Sequence, residues 1–358
     1  VFDENFSDPA IVSIVSAIKN NKEQSICFHL VTFRDNNKKL EIITLPSLDN
    51  LETKNCRYVS GTYHPYGWIR NLNASWILID KNNLYVVING RKKIKVDQFS
   101  LTTKILKGKI DLQKKEIDFK IFFDPGEKII GSTDFSHSGG RIAKFKNNKF
   151  LLTVPDHALM DDYKLLIKKI NSKNSIIGKV LLVDQESYEV FSYGHRNQQG
   201  LYYDEEKDLI FETEHGPTGG DEINLIKKGN HYGWPLATYG ARVEGLNKFR
   251  NHKKNNFTEP LTYWWPRNCG MSEIIKPGKN FNKNWTGYVL LNACLSGSGA
   301  NQGLSIYRWE FNFKNKKLKK KNKYYIGDRI RDMRYSRKDN SLLLVLENQK
   351  ALGIIFKN

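Results

Sequence analysis

The segment Asp204-Glu-Glu-Lys-Asp-Leu-Ile-Phe211 is a run of charged, turn-forming residues passing directly into an apolar, β-favouring one. The same phrase recurs as Asp80-Lys-Asn-Asn-Leu-Tyr-Val-Val87, Lys146-Asn-Asn-Lys-Phe-Leu-Leu-Thr153 and Ser336-Arg-Lys-Asp-Asn-Ser-Leu-Leu-Leu344. Each is a polar hairpin tip followed by a strand, as successive units of a repeated sheet would supply. Among the short β-type runs bounded by Asn, Gly, Asp or Lys are Ser75–Ile79, Asn83–Ile88, Phe150–Val154, Lys179–Val183, Asp208–Thr213, Tyr288–Asn292, Leu304–Trp309 and Ser341–Leu346. Helical periodicity is scarce. Pro9–Ile18 is the best helix candidate, and Asp161–Ile170 reads either as a helix or as a loop excursion.

Length selects among all-β architectures. A four-stranded propeller blade takes roughly 40–60 residues, so 358 residues would hold about six or seven blades. No Pro/Gly/Ser-rich linker divides the chain. A single-domain β-propeller is the expectation, with residues 61–358 its recognisable part and residues 1–60 a diverged N-terminal segment.

The balance of 57 Lys+Arg against 38 Asp+Glu gives a formal charge of +19, which raises the question of nucleic acid. The basic residues are scattered, however. They cluster at Asn36–Lys39, Arg91–Lys93, Lys253–Asn256 and Asn315–Lys323, in turn-like company, and read as loop tips on a solvated surface. A nucleic-acid partner is therefore not expected. The chain has no apolar run of about 20 residues, so no membrane-spanning helix is expected. Four cysteines, Cys27, Cys56, Cys269 and Cys294, lack any CxxC spacing. They allow two local disulfides, Cys27 with Cys56 and Cys269 with Cys294, or four buried thiols. The opening Val1-Phe-Asp-Glu4 carries neither a basic nor an apolar signal region, so a removed export signal or none at all is expected.

One region is denser in unusual residues than the rest: Gly194-His-Arg-Asn-Gln-Gln-Gly200, Thr213-Glu-His-Gly-Pro-Thr-Gly-Gly-Asp-Glu-Ile-Asn224 and Gly229-Asn-His-Tyr-Gly-Trp-Pro235. Glycine and proline between strands demand irregular backbone, which exposes carbonyl and amide groups able to bind ions. These three loops resemble the soluble quinoprotein sugar dehydrogenases, the glucose/sorbosone and aldose sugar dehydrogenase family. The resemblance is strong from about His137 to the C-terminus and weaker from Leu84 to Phe135. It implies a six-bladed β-propeller that binds pyrroloquinoline quinone and calcium and oxidises an aldose. A sugar substrate, an external electron acceptor such as a quinone or cytochrome, and a periplasmic or secreted location follow from it as expectations.

Carried over by position, the resemblance makes His137, in Ser136-His-Ser-Gly-Gly-Arg-Ile142, the catalytic base; imidazole ordinarily titrates near neutrality. Arg196 and Asn197 match positions against the quinone ring, where a guanidinium would stabilise negative charge arriving with hydride. The backbone carbonyls of Gly216 and Pro217 match ligands of the cofactor-bound calcium, and Glu222 with the Tyr232 carbonyl a second, structural calcium. Arg329 and Arg331, two residues apart on a strand, share a face and match the pair that grips the cofactor's carboxylates. Trp265 matches a sugar-facing tryptophan, with a buried structural role as the alternative. His195 and His215 read as loop supports.

The departures are specific. Thr153-Val-Pro-Asp-His-Ala-Leu-Met160 keeps Asp156 but lacks the family's flanking glycines, Gln198 stands where the motif has proline, and Leu295–Gln302 offers no counterpart of a cofactor lysine found in some members. Two other readings stay open: a calcium-dependent propeller hydrolase of the lactonase kind, and a non-catalytic binding propeller.

Overall fold

The computed structural model describes residues 10–19, 23–34, 39–45, 47–48, 72–80, 83–95, 98–111, 116–127, 129–131, 137, 139–159, 163–241, 252–295, 303–337, 340–349 and 351–356, with side chains for the most part from residue 83 onward. The chain divides into two compact units, residues 1–142 with 184–187 and residues 143–183 with 188–358. No linker marks the division. It falls just past Gly139–Gly140, within a stretch whose sequence reads as a site segment.

In the first unit, β1 (Ala10–Lys19), β2 (Glu23–Arg34) and β3 (Lys39–Leu45) form an antiparallel sheet. The helix expected over Pro9–Ile18 is thus a strand, paired with β2 from Ala10↔Thr32 to Lys19↔Glu23. The run Ala-Ile-Val-Ser-Ile-Val-Ser-Ala-Ile-Lys is rich in β-branched residues, whose stiff χ1 favours a pleated neighbour over a helical turn. The second sheet takes β4 (Ser47–Leu48), β5 (Leu72–Asp80), β6 (Asn83–Lys95), β7 (Gln98–Asp111), β8 (Glu116–Phe123) and β9 (Ile129–Gly131). Strands β5 to β8 run as an antiparallel meander, β4 pairs parallel with β8, and β9 pairs with the start of β7. Arg91–Lys93 lies inside β6 rather than at a loop tip. The Cys27–Cys56 pairing lies outside the described side chains.

The second unit is a succession of meanders. They are β10 (Ile142–Lys144), β11 (Phe150–Val154), β12 (Lys179–Val183) and β13 (Tyr188–Tyr193); β14 (Gln198–Asp204), β15 (Leu209–Glu214), β16 (Glu222–Ile226) and β17 (Thr262–Tyr263); β18 (Met271–Ile275), β19 (Tyr288–Cys294), β20 (Ser305–Asn312) and β21 (Lys317–Tyr325); and β22 (Ile330–Ser336), β23 (Ser341–Leu346) and β24 (Ala351–Ile355). Each sheet shares a core with the next. Leu151, Val180 and Phe191 pack with Leu201, Ile210 and Ile226. Phe211 and Ile223 pack with Met271, Leu290 and Trp309. Ile275, Leu291 and Ile306 pack with Met333, Leu342 and Leu344. Nearest-neighbour packing of meanders is the stacking logic of propeller blades. With β5–β8, five blade-like sheets are present among the described residues, where the sequence led us to expect six. The sheet β1–β3 shares no strand pairing with these among the described residues, and β22–β24 has three strands.

Of the two readings of Asp161–Ile170, the helix is realised as α1 (Tyr163–Asn171). Its C-terminal carbonyls of Lys169 and Ile170 accept bonds from the buried Lys179 Nζ at 3.0 and 2.9 Å, a cation placed where the helix end is negative. Lys317–Lys323 sits on the exposed edge strand β21, not in a loop. Among the described residues no strand pairs with its outer edge, and its lysines keep that edge solvated and resistant to further strand pairing.

Candidate active site

The three motif loops of the second unit are joined by backbone bonds, His215 N to Asn197 O and Trp234 N to Gly194 O, both at 3.0 Å, and glycines let the central loop fold tightly. A Cβ at Gly216 would sit 2.2 Å from the Gly219 carbonyl oxygen, and one at Gly220 (φ +75) would sit 2.2 Å from the Gly240 nitrogen. The loop can therefore fold back on itself only while these positions lack side chains. Asp221, fully buried, fastens it: Oδ1 accepts from Gly216 N at 3.1 Å, and Oδ2 accepts from Cys269 N at 2.9 Å and Gly270 N at 2.7 Å. Gly220 N donates to Trp264 O at 2.6 Å, and Trp264 N donates to Asp221 O at 2.9 Å. Cys269 and Cys294 form a disulfide across the β18–β19 pair, which decides between the bridge and buried thiols for these two.

Arg196 lies across this loop. Its Nη1 donates to the carbonyls of His215 and Gly216, both at 2.9 Å, and its backbone N–H donates to Glu214 Oε2 at 2.8 Å. The guanidinium stands over the Trp234 ring, 5.3 Å from its centroid. Burial pushes the Arg196 guanidinium below its usual range, and Asp156, Asp221 and Glu214 oppose that by their negative charge. Asp156 is itself fixed, accepting Trp234 Nε1 at 2.8 Å on Oδ2 and Ala158 N at 2.9 Å on Oδ1. Despite losing its glycine neighbours, that segment still delivers its carboxylate to the site, with His157 and Ala158 taking the positive φ (+53 and +57).

Asn197 turns inward: its Oδ1 accepts from Gln199 Nε2 at 2.7 Å while its carbonyl accepts His215 N at 3.0 Å. His215 is held low by burial and by the Arg196 and Arg331 charges, with Asp221 and the Met271 carbonyl pulling the other way. Its Nε2 lies 2.5 Å from the Met271 carbonyl, so it anchors the loop as expected. Arg329 Nε and Arg331 Nη2 both bond one oxygen, Glu347 Oε2, at 3.1 and 2.7 Å. The pair does converge on a carboxylate, and in this structure that carboxylate belongs to the chain itself.

Beneath Arg196, the carboxylates of Glu212, Glu214 and Glu222 are all buried. Asn224 Nδ2 donates to Glu212 at 3.0 Å and to Glu214 at 3.2 Å. Burial first, and then the neighbouring Glu214, push Glu212 and Glu222 well above the ordinary carboxylate range. Two like charges about 4 Å apart repel by roughly 4 kcal/mol at an effective dielectric near 20, so such a group calls for protons or a cation. His252 lies beside the expected second calcium position: Nε2 is 3.9 Å from Glu222 Oε1, and the ring bonds the Tyr232 backbone.

Of the residues expected at the site, Arg196, Gly216, Glu222 and Tyr232 line one pocket, together with Glu214, His215 and Trp234. Pro217 packs on Gly240 at its edge. Trp265 is 45% exposed and lies against Gly219, so it is not a buried structural residue. His137, buried at 7% exposure, belongs to the first unit. Segment 296–302, where a cofactor lysine was sought, lies outside the described residues. Three contributors were missed from sequence: Asp221 as the loop clamp, Trp234 beneath Arg196, and Glu347 between the arginines. Asp221 stands in the Asp-Glu-Ile-Asn run with nothing in the sequence to mark it as a clamp; Glu347 carries no sequence signal.

The model of the glucose/sorbosone dehydrogenase family matches residues 80–355. An uncharacterised protein of Synechocystis, slr1608, is 25% identical over 260 residues, 67% of this chain and 60% of that protein. The Escherichia coli aldose sugar dehydrogenase YliI is 41% identical over 78 residues, 21% of each chain. Quinoprotein glucose dehydrogenase B of Acinetobacter calcoaceticus is 28% identical over 181 residues, 43% of this chain and 37% of the relative. The matched regions thus span less than two thirds of these curated relatives. Among solved structures, a glucose dehydrogenase superposes with a TM-score of 0.64 at 20% identity, covering 92% of this chain and 91% of the other. The soluble aldose sugar dehydrogenase of E. coli, in its apo-form, gives 0.63 at 18%, covering 94% and 95%. The PQQ-bound aldose sugar dehydrogenase of Streptomyces coelicolor gives 0.58 at 18%, covering 96% and 95%.

Proposed function

The chain belongs to the glucose/sorbosone dehydrogenase family, and from that membership we propose that it is a quinoprotein oxidoreductase oxidising an aldose at its anomeric carbon to the lactone. The observation that carries the reading is the meeting of Arg196, Gly216, Glu222 and Tyr232 at one pocket, with Arg331 close enough to bias His215. The residues suit pyrroloquinoline quinone on their chemistry: Arg329 and Arg331 already converge on a carboxylate oxygen, and the Gly216 carbonyl already faces a cationic donor. That carbonyl has a second lone pair for calcium, shared with Pro217.

Held by these residues, pyrroloquinoline quinone would supply a hydride acceptor for the anomeric carbon, and calcium would supply Lewis acidity beside it. The chain's own residues do the rest. An imidazole nitrogen of His137 takes the anomeric hydroxyl proton, leaving the carbonyl of the lactone. Arg196, fixed over Trp234, presents permanent positive charge to the reducing end of the site, with Asn197 beside it. Arg329 and Arg331 bind the carboxylates. Trp265 offers an exposed flat face to the sugar ring. An external acceptor, a quinone or a cytochrome, would be the electron partner of the loaded protein. Glu222 and the Tyr232 carbonyl are assigned to a second calcium.

Six blades, with residues 61–358 supplying most of them and residues 1–60 a diverged share, belong to the same reading; it is supported by the family match and by the likeness of fold. A periplasmic or secreted location is supported by the Cys269–Cys294 bridge, since disulfides persist in oxidising compartments. Among the described residues no helix is long and apolar enough to cross a membrane. Dye-linked aldose oxidation by the protein reconstituted with calcium and cofactor tests the activity. Turnover should appear in the wild type and collapse in His137→Ala; equal turnover in the variant would remove His137 from its role.

A further inference from the structure

Strand β15 places Glu212 and Glu214 two residues apart on one face, opposite Asn224 and Glu222 of β16. His195, from the loop before β14, closes the group: one ligand atom from each of His195, Glu212 and Glu214 lies within 4.8 Å of the others. All three residues are buried. His195 Nδ1 has no hydrogen-bond partner and stands 3.7 Å from Glu214 Oε2; Glu212 Oε1 has none either. The ring is held in this aim by Ser192 Oγ on Nε2 at 2.9 Å and by stacking on Tyr232 at 4.7 Å. In the tautomer with the proton on Nε2, the Nδ1 lone pair faces carboxylate oxygens with nothing donated between them. An imidazole oriented by an outer hydroxyl and aimed at two carboxylates is the arrangement metal sites use. Asn224 Nδ2, bridging Glu212 and Glu214, holds the two acids together.

We propose that His195 Nδ1, Glu212 and Glu214 bind a divalent first-row transition ion of the Mn2+ or Zn2+ kind, at a site with its own donors, apart from the Gly216–Pro217 carbonyls and adjoining the Glu222–Tyr232 pair. The donor set decides the class. Calcium takes oxygen ligands throughout, whereas one imidazole with two carboxylates suits manganese or zinc. The pocket lined by Glu214, Glu222 and Tyr232 gives an approach from the site side. The ion would bridge the loop carrying Arg196 to the strand leading into Gly216, fixing the cofactor loops from beneath.

The test uses the whole chain, stripped with chelator and held in excess Ca2+ so that oxygen-only sites are filled, then titrated with Mn2+ and followed by loss of the free-ion paramagnetic signal. One equivalent of Mn2+ should bind, raising the melting temperature by about 5 °C at a hundredfold excess over the dissociation constant. Glu212→Gln, close to isosteric, should weaken binding by at least on the order of 100-fold, since losing even an outer partner costs 10–100-fold. Glu206→Gln, at the exposed β14–β15 turn, should leave it within a few-fold. On the wild type alone, spin-echo spectra of bound Mn2+ should carry modulation from an imidazole nitrogen, which keeps the test open should Glu212→Gln not fold. No retained Mn2+ in excess Ca2+, binding indifferent to Glu212→Gln, or a bound ion without nitrogen coupling would each overturn the site.

Discussion

Asp221→Asn is the sharpest probe of how the cofactor loop is held. The carboxylate is fully buried and accepts three backbone N–H groups, one from Gly216 on Oδ1 and two from Cys269 and Gly270 on Oδ2. Asparagine keeps the shape but turns one acceptor into a donor. Its best orientation keeps the carbonyl on Cys269 and Gly270 and sets an NH2 against the Gly216 N–H, 3.1 Å away in the native loop. One charge-assisted bond, worth roughly 1.5–3 kcal/mol, is lost, and a buried donor is left unpaired at about 1–3 kcal/mol more. Loss of the negative charge that offsets the burial of Arg196 adds to this. We expect a stability loss of at least about 3 kcal/mol, a fall in melting temperature of at least about 6 °C for a unit of this size. Chemical denaturation with calorimetry measures it, and calcium affinity should drop in the same variant because Gly216 is released. A variant melting within 2 °C of the wild type and binding calcium equally well would refute the clamp.

Three further outcomes follow from the same geometry. Glu347→Gln removes the negative charge that Arg329 and Arg331 now share, so the affinity for pyrroloquinoline quinone should tighten by roughly tenfold, a modest factor because both arginines are partly solvent-screened; weaker binding in a fluorescence titration would make Glu347 a brace instead. Reduction of Cys269–Cys294, or Cys294→Ser, opens a link between residues 25 apart and should cost about 3 kcal/mol, read as a lower melting temperature in reductant. His231 is held down to about 4, chiefly by burial. Its imidazole accepts Gly233 N at 2.8 Å. Below pH 6.5 the unfolded chain takes up the proton first, so stability should fall from pH 6.5 towards 4 by up to about 3 kcal/mol and be unaffected by this group above 6.5. A flat profile in that window, or a slope unchanged in His231→Gln, would contradict it.

Much of the second unit was legible because its strands are short apolar runs between strong turn signals. Phe150–Val154, Lys179–Val183 and Ser341–Leu346 match strands to the residue. Two errors have physical causes. Ala10–Lys19 contains apolar residues at spacings that satisfy a helix and a strand alike, and the pairing with β2 that decides the matter is non-local. The lysines of β21 look like a loop because an exposed edge strand and a loop are both free to be polar. At the site, residues in Gly-rich motifs were found because irregular backbone leaves a composition signal. Asp221 and Glu347 escaped because a buried acceptor of backbone N–H groups and a solvated acid are the same letter in a sequence. The buried group of Glu212, Glu214 and His195 likewise exists only once β15 is folded beside the Gly194–Gln198 loop.

The proposed function requires that this chain bind a quinone cofactor through the second unit's arginines. Titration of the calcium-loaded protein with pyrroloquinoline quinone, followed by the cofactor's absorption, tests it most directly. Saturable one-to-one binding in the micromolar range or tighter, weakened at least tenfold in Arg331→Ala, is the predicted result. No spectral change at micromolar concentrations, or binding that Arg331→Ala leaves untouched, would contradict it.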